Sequence, residues 1–268
     1  PGVMKRLGLD YQALRERYPR LIYVALTGYG QSGPYASLAG HDINYLSLAG
    51  VLDITGTQDG PPAIPGVQIA DLAGGAMQAV IGVLLALAAR HNTGRGQLVD
   101  VSMLDGSVWL LPVPMALYAA TGQAPRRGDT RLSGRYACYN VYQARDGRWL
   151  AVGALEPKFW AALCQGLGRE DLIPDQYAEG PRQAEIIETL RAIFRTRDAG
   201  EWFERFRSTD ACVTPLQDMA EVARDAHLRH REMIVDGAIG VMPKLSETPG
   251  SPGGPPPRLG EHNDEVLR

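Results

Sequence analysis

The chain is poor in cysteine, in lysine and in net charge, and each shortage removes a class of function. Its three cysteines, Cys138, Cys164 and Cys212, are odd in number, widely spaced and without a CxxC pair. That argues against a disulfide framework or a zinc site and fits a reduced, cytoplasmic setting. A net charge of −3 and a pI near 6.0 give no basic bias toward nucleic acid or a membrane surface. Lysine occurs three times against 24 arginines, a bias of genome composition rather than of function. The opening residues do not read as a signal peptide. One run, Leu72 to Ala89, is apolar enough to weigh as a membrane span. Its glycines, Gln78 and the preceding Asp71 favour a buried helix.

What is present is an ordinary globular mixture, 45% hydrophobic and 7% aromatic over 268 residues. That is enough for one large or two modest domains. Asp10 is placed to cap a short helix through Tyr18. Leu21 to Leu26 reads as a buried strand. His41 to Leu48 reads as a helix with His41 at its start, and residues 55–65 as a Gly/Pro-rich loop. Asp71 opens a long apolar helix ending near Arg90, with Gly94 beyond it. Gln97 to Met103 alternates like a strand, and Asp105 to Ala120 suggests another helix. Residues 121–134 are polar and rich in Arg and Gly, a linker composition. Two strands are then expected around the Asp146-Gly147 turn, followed by helices at 157–167, 183–195 and 199–207. A short return strand is expected within 210–215, and a helix over 218–232. Residues 249–257 are rich in Pro and Gly and should be extended. The pattern predicts an α/β chain split near residue 125.

Three segments carry chemistry: Gly40-His41-Asp42-Ile43-Asn44-Tyr45, Ile69-Ala70-Asp71-Leu72-Ala73-Gly74-Gly75, and Val152-Gly153-Ala154-Leu155-Glu156-Pro157-Lys158-Phe159. A base, an acid and an orienting carboxylate suffice to move a proton on and off carbon, given donors aimed at the enolate oxygen. Predicted helix starts at His41 and Asp71 would supply such donors as free backbone N–H groups. Each residue also has a plain structural role open to it. His41 and Asp71 could cap helices, and Glu156 could answer a helix dipole from the surface.

Taken together, the three segments resemble the α-methylacyl-CoA racemases, a branch of the family III CoA-transferase (CaiB-BaiF) superfamily, over almost the whole chain. The resemblance implies an α/β fold with a Rossmann-like large domain, a smaller α+β domain and an intertwined dimer. Residues 1–125 would form part of the large CoA-binding domain, 126–245 the small domain with linkers, and 246–268 an extended tail returning to the large domain. Family members carry further N-terminal strands, and Pro1-Gly2-Val3 opens without an initiator Met, so such a segment is expected to precede this one. Roles follow by match. His41 is the general base on one face of the α-carbon, Asp71 the acid/base on the other, and Glu156 the carboxylate that orients the histidine, often across a dimer interface. Gly40, Asp42, Ile43, Asn44 and Tyr45 would surround the thioester and pantetheine, with the Asp42 N–H toward the thioester oxygen. Arg6 would contact CoA phosphates.

The implied reaction is epimerisation of 2-methyl-branched acyl-CoA thioesters through an enolate. No metal or redox cofactor is implied, because CoA is part of the substrate; the expected partners are the acyl-CoA and a second copy of the chain. One departure from the family pattern is Leu72-Ala73 where Phe and Gly usually follow the acid, which bears on the shape of the acyl pocket. Met77, Met103 and Met115 could line that pocket or belong to the core. The rival reading within the superfamily is a CoA-transferase using Asp105, in Val101-Ser102-Met103-Leu104-Asp105-Gly106, as nucleophile. Gly28-Tyr29-Gly30-Gln31-Ser32-Gly33 formally matches GxGxxG, but Pro34 follows at once and no helix is expected to open there. His227-x-x-His230 lies among arginines and reads as a solvated helix face rather than a metal site.

Overall fold

The computed structural model describes residues 1–235, 237–254 and 256–267. Two short helices, α1 (Val3–Arg6) and α2 (Tyr11–Arg15), lead to strand β1 (Tyr23–Thr27). Asp10 caps α2 as its composition suggests, its carboxylate accepting from the N–H groups of Gln12 and Ala13. Helix α3 (Asp42–Ala49) and the long α4 (Ala70–Thr93) separate β1 from β2 (Leu98–Ser102). The two strands pair in parallel, from Tyr23 opposite Leu98 to Thr27 opposite Ser102. The first turns of α4, Ala70–Ala76, are π-helical. Helix α4 ends as predicted at a left-handed glycine, Gly94, whose N–H returns to the Arg90 carbonyl.

The expected helix from 105 to 120 is two, α5 (Met103–Trp109) and α6 (Pro112–Thr121), bent by 63°. Pro112 and Pro114 explain the break, since proline lacks an N–H and disfavours helical backbone just before it. Gly106 of α5 crosses Gly74 of α4 so closely that a Cβ on Gly106 would lie 2.0 Å from the Gly74 carbonyl oxygen.

In the second half, β3 (Tyr139–Gln143) and β4 (Trp149–Gly153) form the predicted hairpin, with β5 (Val213–Pro215) antiparallel on the far side of β4. Helices α7 (Pro157–Leu167), α8 (Pro181–Phe194) and α9 (Ala199–Phe206) pack against them, with a 3-10 segment Glu170–Asp175 between α7 and α8. Their apolar faces meet in a core of Tyr142, Leu150, Trp160, Phe194, Trp202 and Phe206. Burying each such side chain contributes about 1.5–3 kcal/mol. The helix predicted over 218–232 divides into α10 (Met219–Val222) and α11 (Ala226–His230), because Asp225 stops one and caps the other through the Leu228 N–H. A two-residue hairpin, β6 (Ile234–Val235) and β7 (Ala238–Ile239), and a last turn, α12 (Asn263–Val266), complete the chain. Residues 249–254, 256 and 257 carry no regular structure; Pro255 of that Pro/Gly-rich stretch lies outside the described residues.

Two expectations of burial fail. Strand β1 is half-open, with Val24 and Leu26 lining a cavity of about 680 Å³ between the strand and helices α1 and α2. The run Leu72 to Ala89 is not a buried helix within this chain. Helix α4 packs only through the side that meets α5 and the β1–β2 pair, leaving Val80, Leu84 and Leu85 60–66% exposed. By length and composition the helix would suffice to cross a membrane, as core helices of soluble proteins also do. The first half thus has a thin core, Tyr45, Leu46 and Ala70 with Tyr29, Ile69 and Met103 around them, and a broad apolar exterior.

Candidate active site

The site is built where α3 and α4 begin. His41 is the N-cap residue of α3, with extended backbone at φ −128° and ψ 176°. Its own N–H donates to Asn44 Oδ1 at 3.0 Å, and its carbonyl accepts from the Asn44 N–H. This fixes the His41 backbone and leaves the imidazole on the exposed side of the helix start. Tyr45, one turn on, points the other way. Its ring is buried against Tyr29, and its hydroxyl donates to the Gly40 carbonyl at 2.6 Å. Burial, then the neighbouring Tyr29 and the Asp71 carboxylate, push the Tyr45 phenol above its ordinary range, so it stays a neutral donor. Gly28 and Gly40 leave the space this ring needs, since a Cβ on Gly28 would lie 2.4 Å from it.

The link between the two catalytic candidates is Asp42. Its Oδ1 accepts from the Ala70 N–H at 2.6 Å and the Asp71 N–H at 3.1 Å. One carboxylate in the first turn of α3 therefore caps α4, and negative charge sits at two helix starts where it is favoured. The sequence suggested free N–H donors at both helix starts; the structure leaves them at one. At α4 they are taken by Asp42. At α3 the Asp42 and Ile43 N–H groups carry no hydrogen bond among the described residues. His41, Asp71 and two unpaired donors thus all belong to the two helix starts that Asp42 joins, residue types able to take a proton, return one and hold an oxyanion. This function of the Asp42 side chain had no signal in the sequence, since its partners lie 28 and 29 residues away.

Glu156 is the N-cap residue of α7, exposed and close to Cys212. Among the described residues no hydrogen bond or ion pair joins it to His41 within the chain. The peptide before it is held firmly. The Leu155 carbonyl accepts from Gln176 Nε2 at 2.9 Å and from the Tyr177 hydroxyl at 2.5 Å. Arg6 ends α1 and is exposed; it is Lys5 of the same turn that lines the cavity beside β1, with Asp10, Thr27 and Gln31. Met77 and Met115 are exposed, whereas Met103 packs against the Tyr45 cluster. Asp105, in the first turn of α5, takes its N–H bond to Ser102 Oγ and lines a different groove, with Gln78, Val99 and Trp109. At the GxGxxG segment Gly33 has φ +94° and turns, not a helix, follow it.

Comparison with known proteins identifies the family. The family model described as CoA-transferase family III matches residues 1–263. The α-methylacyl-CoA racemase of Mus musculus is 39% identical, over 100% of this chain and 72% of that protein. The succinyl-CoA–L-malate CoA-transferase β subunit of Chloroflexus aurantiacus is 32% identical, over 100% of this chain and 70% of its own length. The crystal structure of a CAIB/BAIF family protein from Brucella suis superimposes with a TM-score of 0.82 at 26% identity, covering 99% of this chain and 72% of that one.

Proposed function

The chain belongs to CoA-transferase family III, and on that premise we propose that it interconverts the epimers of 2-methyl-branched acyl-CoA thioesters. His41 takes the α-proton from one face and Asp71 returns one to the other, with the roles reversed in the opposite direction. The enolate oxygen is received by the Asp42 and Ile43 N–H groups at the positive end of α3. The observation that carries this reading is the Asp42 carboxylate bridging the helix that begins at His41 to the helix that bears Asp71. A base and an acid on opposite sides of one carbon must keep a fixed separation, and that bridge sets it. CoA enters as part of the substrate, and neither a metal nor a redox cofactor has a step to perform.

We place the enzyme in the cytoplasm, as a homodimer. Two observations support the dimer: among the described residues no bond joins Glu156 to His41 within one chain, and α4 to α6 present a wide apolar exterior. Glu156 of one subunit would then orient His41 of the other. The alternative, CoA transfer between carboxylic acids through Asp105, is supported by that residue's exposure and by the transferase relative.

The test uses (2R)- and (2S)-2-methylacyl-CoA in deuterated water, followed by NMR. α-Deuterium incorporation with both epimers converging on one ratio supports the racemase. His41→Ala should remove exchange on one face and Asp71→Ala on the other. Absence of exchange, with CoA movement to an added free acid that is lost in Asp105→Ala, would replace the reading by the transferase.

A further inference from the structure

We propose that Gln176 and Tyr177 are positioning residues for Glu156, and that Arg131 ties the 121–134 segment to the same point; this rests on the reading of Glu156 as the carboxylate that orients His41. Glu156 itself is exposed and forms no cap bond of its own. Its place in space is set by its flanking peptides. On the C-terminal side its carbonyl accepts from the Phe159 and Trp160 N–H groups, and Trp160 Nε1 donates to the Leu172 carbonyl at 3.1 Å, locking α7 to the 3-10 segment. On the N-terminal side the same segment reaches back. Gln176, buried, donates through Nε2 to the carbonyls of both Ala154 and Leu155, at 3.1 and 2.9 Å.

The Tyr177 hydroxyl adds a second donor to the Leu155 carbonyl and accepts from Arg131 Nη2. The Arg131 guanidinium also lies 4.5 Å from the centre of the Tyr177 ring, which meets Tyr136 edge-on at 5.2 Å. Three donor hydrogens thus converge on two consecutive carbonyls immediately before one exposed carboxylate. This arrangement fixes the orientation of the Leu155–Glu156 peptide, which aims the Glu156 side chain.

The test measures deuterium exchange, kcat, KM and the pH profile of the complete protein for Tyr177→Phe, alone and combined with Glu156→Gln. Tyr177→Phe keeps the ring and leaves the Leu155 carbonyl its bond from Gln176, so a native thermal midpoint is expected. A misaimed catalytic group is expected to lower kcat about tenfold with KM within about twofold. The pH profile of kcat/KM should change with it, because the displaced carboxylate no longer orients the imidazole. In the Glu156→Gln background the same substitution should change neither. A kcat unaltered by Tyr177→Phe, or an equal loss in both backgrounds, overturns the proposal. Full activity in Glu156→Gln alone would instead overturn the role given to Glu156 itself.

Discussion

Replacing Asp42 by Ala and by Asn separates the two things its carboxylate does. In Asp42→Ala the N–H groups of Ala70 and Asp71 lose their acceptor. Ala70 is fully buried, so no water replaces that bond, whereas Asp71 is only half-buried. A stranded buried donor costs about 1–3 kcal/mol and a lost helix cap about 0.5–2 kcal/mol. The Ala70 bond should dominate, giving about 2–3 kcal/mol in all, or roughly 5–10 °C in thermal midpoint for a domain of this size. Asp42→Asn keeps the accepting oxygen and removes only the charge at two helix starts, a loss of roughly 1 kcal/mol. Urea denaturation measures both differences. Activity should follow the geometry rather than the charge. Asp42→Ala frees the separation of His41 from Asp71 and should lower kcat for exchange about 100-fold, while Asp42→Asn stays within about tenfold of the native enzyme. If the two variants are equally stable to within about 0.5 kcal/mol, or if Asp42→Asn loses activity as completely as Asp42→Ala, the bridge is not what sets the site.

Other outcomes follow from the same coordinates. If Glu156 serves the partner's His41, equal amounts of His41→Ala and Glu156→Gln subunits, unfolded and refolded together, should regain about a quarter of native exchange, since half the dimers then carry one intact site; no recovery would place both residues in one subunit's site. Gly106→Ala would push a methyl against the Gly74 carbonyl, 2.0 Å from the ideal Cβ, and should destabilise the α4–α5 crossing by about 3 kcal/mol or prevent folding, read by circular dichroism. Iodoacetamide at pH 8 should modify the exposed Cys212 while Cys138 and Cys164 react only on unfolding, as peptide mapping would show. Burial pushes the Cys164 thiol up to about 12 from 9.0. A raised folded pKa gives stability that is complete below about 9 and is lost as pH climbs toward 12, so Cys164→Ala should flatten the alkaline limb of a stability–pH curve.

What the sequence made legible was local. Asp10, Gly94 and the Asp146-Gly147 turn act on backbone groups within a few residues, and so does His41 at the start of α3. Glu156 before Pro157 is a helix start for the same reason. The misjudged parts depend on what lies across space. A prolonged apolar run says only that something must cover it. It does not say that the cover comes from this chain, and for Val80, Leu84 and Leu85 it does not. The reason for Gly74 is likewise distant, a helix that begins 29 residues later at Met103. Asp42 is the sharpest case. Read locally, it is a first-turn acid on α3, and the resemblance implies a role only for its backbone N–H. Its carboxylate, reaching 28 residues ahead, ties two separate motifs together. The arrangement also explains why only one helix start is left to receive an oxyanion. Capping α4 consumes the Ala70 and Asp71 donors, so under the proposed function the oxyanion falls to the Asp42 and Ile43 N–H groups of α3.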